Sequence, residues 1–308
     1  MNADRTLLTD EMWEDLSPLL PGQAWSCGVT AADTRGFVEA VLWLGRTGAP
    51  WRDLPSHLGA WHRVYVRFAR WRDKGVWEQA TAWLIQNKRK VPHARQRQVQ
   101  VDSTSVRVHQ HGTGAEKKNG EQGVGRSRGG NTSKIHLVGD GAGNVLGWQV
   151  TAGQAGDAPE AAGLLAPWLA PAQEVLGDAA YDSDALRAVI AEAGAIAVIK
   201  PNPRRKNKVH FDPLAYQKRH HIEQTFSKMK QFRRIATRYD KLDRTFDSFI
   251  CLRIITLYLR AVSRLVYVLV GAGGRPRWWC AGWCRGCWFG NGGVATVCVE
   301  SRFLDALL

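Results

Sequence analysis

No stretch of this 308-residue chain is apolar for long enough to cross a bilayer. The apolar run near its end, Leu265 to Ala272, falls far short of the roughly 20 residues that a spanning helix needs. The opening residues MNADRTLLTDEMWEDL lack the apolar segment of a secretory signal. Cysteine is scarce outside one place, since four of the six crowd into the last 29 residues, and no disulfide framework follows. These absences exclude a helical membrane protein and a disulfide-stapled secreted domain, and they fit a cytoplasmic location. Acidic residues are also in deficit: 28 Asp and Glu face 42 Lys and Arg, for a net charge of +14. That balance favours a polyanionic partner, of which nucleic acid is the commonest. At 44% hydrophobic residues the chain has enough apolar matter for two domains and a sizeable core.

The first 90 or so residues carry helical periodicity and no strand alternation. Thr9 and Asp10 can cap a helix containing Met12, Trp13 and Leu16. A second helix starts near Asp33, sets Phe37, Val38, Val41 and Leu42 on one face, and stops in GRTGAP. Pro50, Pro55 and Gly59 then break the chain. In AWHRVYVRFARWRDKG, the residues Trp61, Val64, Tyr65, Phe68 and Trp71 form an apolar stripe, and Arg63, Arg67 and Arg70 a second, basic one. An arginine face on a packed helix suits phosphate tracking or groove reading. Lys88, Arg89, Lys90, Arg95 and Arg97 flank Pro92 in what reads as a linker.

From about residue 97 the pattern changes. QVQVDSTSVRVH alternates as a strand. GTGAEKKNGEQGVGRSRGGNTS has no apolar period and reads as a loop, in which Arg126, Arg128 and Lys134 beside paired glycines suit close approach to phosphates. SKIHLVGDGAGNVLGWQV reads as a hairpin turning at Asp140 to Asn144. A helix capped by Asp157, a short strand EVLGD, a helix capped by Asp182 or Ser183 and stopped by Gly194, and a buried strand AIAVIKP complete an α/β pattern: a mixed sheet covered by helices.

Three acids stand out in this frame. Asp102 and Asp178 sit where β-type runs break into small and polar residues, and Glu223 lies mid-helix among basic residues. Carboxylates converging from strand ends and a helix can hold a pair of divalent ions that work on a phosphodiester. Tyr216, Arg219, Glu223 and Lys230 recur at offsets that place them on one stripe of that helix, beside an apolar stripe of Ile222, Phe226 and Met229. His109, His111, His220 and His221 are not expected as ligands, because a magnesium site wants hard oxygen donors.

The sequence Tyr216-QK-Arg219-HHI-Glu223-QTFSKM-Lys230 matches in full the Tyr-x2-Arg-x3-Glu-x6-Lys signature of DDE-type insertion-sequence transposases, in the insertion-sequence-five branch. VDSTSV around Asp102 and GDAAYD around Asp178 resemble that family's first two acid motifs, and residues 125 to 137, LTDEMWEDLSPLLP and PWRDLP add further likeness. The resemblance covers roughly residues 7 to 260. It implies a ribonuclease-H-like mixed sheet flanked by helices, preceded by a small all-α, helix-turn-helix-like domain. Residues 1–95 would bind DNA, 96–262 would be catalytic, and 263–308 would be an atypical tail. It implies Asp102, Asp178 and Glu223 as catalytic and metal-binding acids, and two Mg²⁺ ions with Mn²⁺ able to substitute. Arg63, Arg67, Arg70, Arg126, Arg128, Lys134, Tyr216, Arg219 and Lys230 would then meet DNA. The implied partners are double-stranded DNA and further copies of the chain assembled on it, with a nucleoid-associated location. The rival readings are an inactive or binding-only descendant acting as a DNA-binding repressor and a nuclease on RNA–DNA hybrids.

The likeness fades after about Arg260. The last segment crowds four Trp and four Cys among glycines, and Cys280, Cys284, Cys287 and Cys298 match no strong zinc spacing. Such a run looks like translation outside the ancestral frame, and it is expected to be poorly ordered.

Overall fold

The computed structural model describes residues 7–23, 31, 33–87, 97–114, 122–207 and 209–270, with side chains described as far as 260. The boundary expected near residue 95 and the Trp- and Cys-rich segment from 271 onward lie outside the described residues. The described residues up to Val268 fall within one compact unit.

Among the described residues the opening helices are α1 (Asp10–Leu16), α2 (Thr34–Thr47), α3 (Trp61–Asp73) and α4 (Val76–Asn87). Their ends follow local chemistry. Thr9 Oγ1 accepts from the Met12 N–H, and Asp33 Oδ1 accepts from the Gly36 N–H, so each satisfies an orphan donor of a first turn. Gly48 ends α2 at φ 71°, in the left-handed region that a glycine enters at no steric cost. The apolar stripe of α2 is buried as its spacing predicts, through Phe37, Val38, Val41 and Leu42. On α3 only Val64, Phe68 and Trp71 are buried, while Trp61 and Tyr65 remain exposed.

The sheet follows: β1 (Gln98–Val108), β2 (Gly125–Ser127), β3 (Gly130–Asp140), β4 (Val145–Ala152), β5 (Glu174–Gly177), β6 (Ile196–Ile199) and β7 (Thr237–Arg238). β3 runs antiparallel to β1 on one side, and β5 then β6 run parallel on the other. β4 pairs with most of β3, and β2 pairs with its first residues. Across the sheet the five main strands thus stand as β4-β3-β1-β5-β6 with β3 reversed, which is the ribonuclease-H-like arrangement. β2 arises inside the segment read as a loop, held by backbone pairing with β3 and by the Ser127 hydroxyl on the Gly130 carbonyl.

Helices α5 (Asp157–Leu165) and α6 (Asp184–Glu192) cover one face of the sheet; α8 (His220–Lys230) and α10 (Asp243–Val270) cover the other. The short helices α7 (Pro213–Tyr216) and α9 (Arg233–Ala236) flank α8. Strand alternation sorts β1 between them: Val99 and Val101 join the α5 and α6 core, and Val106 joins the α8 and α10 core. Ser183 caps α6 as expected. Asp157 does not cap α5; Gly156 holds that position, and the Asp157 carboxylate turns to Ser103 and Lys134 instead.

The second core is also the core of the opening helices. Phe68 of α3 stacks on Phe249 of α10 with ring centroids 5.1 Å apart. Gly45 of α2 lies under Phe232 and Phe249, where an added Cβ would come within 2.9 Å of the Phe232 ring. Each large apolar side chain so buried contributes about 1.5–3 kcal/mol.

Candidate active site

Two strand pairings create the site. β5 pairs with β1 over Gln98 to Gln100, and β7 pairs with Arg107 and Val108 of the same strand edge. Between them that edge of β1 has no strand partner among the described residues. The opening lies beyond the carboxyl end of the parallel strand β5, on the edge of β1 opposite β3, and open α/β sheets place ligands outside strand carboxyl ends.

Asp102 occupies this opening. It is not the end of its strand, because β1 continues to Val108 and Asp102 pairs with Leu137 of β3. Asp178 follows β5 directly and caps a short turn, its Oδ1 accepting from the Ala180 N–H at 2.9 Å. The parallel register sets Gln98 beside Glu174 and Gln100 beside Leu176, and the same offset brings Asp102 level with Asp178. Strands this close lie about 4.8 Å apart. Glu223 comes from the first turn of α8, with its side chain 56% exposed.

Arg219 ties the acids together. Its Nη2 donates to Asp102 Oδ2 at 2.7 Å and its Nη1 to Glu223 Oε1 at 2.5 Å. Burial pushes the Asp102 carboxyl above the usual carboxylate range, the charge of Arg219 opposes this, and the charge of Asp178 adds to the rise. Burial works against the Arg219 charge, but Asp102, Tyr216 and Glu223 together outweigh it and the guanidinium is held the more firmly charged. Burial also raises the Tyr216 phenol, against Arg219, and the charges of Asp178, Glu223 and Asp102 all reach it. Lys230 donates to Thr104 Oγ1 at 2.6 Å and to the Ser105 carbonyl, and its burial lowers its pKa.

The stripe predicted on one helix is therefore distributed over three pieces. Tyr216 ends α7, Arg219 ends a 3₁₀ turn (Gln217–Arg219), and Glu223 and Lys230 lie on α8. The row still faces β1 because a residue that no sequence motif singles out aligns it. Gln100, fully buried, donates from Nε2 to the Lys218 carbonyl and accepts at Oε1 from the Ile222 N–H, each at 3.1 Å. Its signal lies in QVQVDST, where polar residues at 98, 100, 102 and 104 share one face of a largely buried strand.

The other predicted contacts divide. Arg63 and Arg70 are exposed on α3, and Arg126 and Arg128 are exposed on β2 and its turn. Arg67 is half-buried; it donates to the Asp33 carbonyl and to Thr34 Oγ1, and lies over the rings of Phe37 and Trp71. Lys134 lies in β3 rather than a loop, with Nζ 2.7 Å from the Ala155 carbonyl and 3.1 Å from Asp157. The donor set around the opening is three carboxylates without thiol, which suits a hard dication such as magnesium. A separate group, Glu78, Asp247 and Cys251, brings potential ligand atoms within 4.8 Å of one another between α4 and α10, and contains none of the three acids.

A ribonuclease-H-like sheet with aspartates on its first and fourth main strands and a glutamate on a following helix defines the DDE class of nucleic-acid enzymes. The chain belongs to the transposase DDE domain family, whose profile matches residues 93–259. The profile described as a transposase of the IS4/5 family matches residues 8–81. The chain is 42% identical over 130 residues to a Brucella ovis protein named as a transposase for insertion sequence element IS6501, covering 42% of this chain and 99% of that one. It is 35% identical over 113 residues to the uncharacterized protein y4sN of Sinorhizobium fredii, covering 37% of this chain and 86% of that one. Among solved structures it is similar to a piggyBac transposase synaptic complex with hairpin DNA, at 11% identity and a TM-score of 0.49, over 85% of this chain and 75% of that one.

Proposed function

We propose that this transposase binds the terminal inverted repeats of an insertion sequence, cleaves DNA there, and joins the freed 3′-hydroxyl to target DNA with divalent magnesium. The observation that supports this most directly is the convergence of Asp102, level with Asp178 across parallel strands, and Glu223 on the same guanidinium and phenol. Asp102, Asp178 and Glu223 would hold the metal, with Mn²⁺ able to substitute. The bound ion supplies Lewis acidity that makes water or a 3′-hydroxyl a usable nucleophile and offsets charge gathering at phosphorus.

The chain's own residues supply position. Arg219 and Lys230 take phosphate oxygens, the first through a planar fork and the second as a point charge. Tyr216, at the end of α7, orients the scissile strand. Arg63 and Arg70 on α3, Arg126 on β2 and Arg128 on the β2–β3 turn track the backbone further out. Two ends must be held together for joining, so the working form on DNA is a dimer or larger assembly.

A duplex bearing the element's end, incubated with the protein and Mg²⁺, should release strands ending in 3′-hydroxyls. Asp102→Asn, Asp178→Asn and Glu223→Gln should each cut cleavage by roughly two orders of magnitude or more while sparing end binding. Near-normal cleavage by Asp102→Asn would remove the basis of the proposal.

A further inference from the structure

Arg219 stands between two carboxylates from different elements, Asp102 on β1 and Glu223 on α8. It is more than a helix staple. Its Nε is buried and has no hydrogen-bond partner, so this pose leaves the guanidinium incompletely satisfied. One of its two arms ends on Glu223, whose side chain is 56% exposed, and such an ion pair is weak. Asp102 Oδ2 and Glu223 Oε1 cannot accept from this guanidinium and also serve a dication without setting like charges side by side in a half-buried opening. A phosphate, in contrast, offers the fork a bidentate partner with charge to match.

We propose that Arg219 couples metal binding to DNA binding: its guanidinium competes with the divalent cation for Asp102 and Glu223, and moves to a phosphate when DNA enters. This rests on the metal site proposed above. The free protein then holds the cation weakly, and cleavage chemistry is confined to the DNA-bound state. Linkage requires the effect to be mutual, so the cation tightens DNA by the factor by which DNA tightens the cation.

The test is Mn²⁺ binding to the full chain, followed by the electron paramagnetic resonance of free Mn²⁺, with and without a short duplex carrying the element's end. The wild type should bind Mn²⁺ about five- to a hundredfold more tightly with the duplex present. Arg219→Gln should bind Mn²⁺ without DNA about as tightly as the wild type does with it, and the duplex should add little. Arg219→Lys keeps the charge but loses the fork, and should fall between. A purely structural Arg219 gives the opposite: Arg219→Gln, or Arg219→Lys if the first fails to fold, binds Mn²⁺ no better than the wild type, and the coupling proposal is overturned. Asp102→Asn and Glu223→Gln separate the two readings. If neither weakens Mn²⁺ binding, the metal site itself is wrong and the coupling falls with it.

Discussion

Asp247 accepts a hydrogen bond from the Trp148 indole at 2.6 Å, with Glu78 and Cys251 beside it. Burial raises its carboxyl to about 6; the indole opposes the rise and the charge of Asp243 adds to it. The folded state therefore keeps a proton that the unfolded chain gives up near the ordinary value of 3.8. Stability from this group is fully present below that value and is lost as pH rises through about 6. Each pH unit between the two values is worth about 1.4 kcal/mol, so the loss comes to about 3 kcal/mol. Asp247→Asn keeps an acceptor for the indole and cannot ionise, so its urea midpoint should vary less between pH 4 and 7 than the wild type's; equal pH profiles would discard this account. The arginines of α3 differ in a similar, residue-by-residue way. Arg67→Ala leaves the Thr34 hydroxyl and Asp33 carbonyl without their donor and should cost about 1–3 kcal/mol of stability. Arg63→Ala and Arg70→Ala should melt normally, weaken DNA binding, and each reduce the slope of log affinity against log salt by about 1. Melting curves and salt titrations of the three variants check the division.

Among the elements, the caps of α1, α2 and α6 were legible because a cap is local: Thr9, Asp33 and Ser183 satisfy N–H groups three residues away. The hairpin at Asp140 to Asn144 was legible for the same reason, through an aspartate that accepts from Ala142 and Asn144. The three acids were legible as types, and QVQVDSTSVRVH as the strand β1, but not the partners of β1 beyond Asp102. Its β-branched and polar residues 103 to 108 gain strand partners only from β3 and β7, both distant in sequence. The alignment of α8 was illegible for a stronger reason. Lys218 and Ile222 are four apart, the pair a regular helix joins directly, and the Gln100 amide reaches both from 118 and 122 residues away. No side chain caps α8 at its own N-terminus. Gln100→Leu would bury a carbonyl and an N–H without the amide, at about 1–3 kcal/mol for each. It should lower the urea midpoint and speed hydrogen exchange along α8 before β3 is affected. If α8 exchanges at the wild-type rate in this variant, the glutamine does not set its position.

At the scale of the whole unit, the opening helices have no separate core among the described residues. One buried cluster runs from Leu7 and Leu8 through Val38, Phe68 and Trp77 to Phe249, Ile254 and Leu259. Polar ties cross the same boundary: Arg234 donates to the Ala49 carbonyl while paired with Asp240, and Arg72 donates to Thr245 Oγ1. Phe249 is the hub, fully buried, stacked on Phe68, 6.3 Å from the Trp51 ring, and covered by the Arg234 guanidinium at 4.7 Å. A core shared in this way makes the helical part and the sheet unfold as one, since exposing either strips the cover from the other. Phe249→Ala should cost about 3–5 kcal/mol. The loss should appear equally in the opening free energies of α2 and of β3 when amide exchange is followed in low urea. Protection lost from α2 alone, with β3 unchanged, would mean that the opening helices fold as an independent module and that the shared cluster is a docking surface rather than a core.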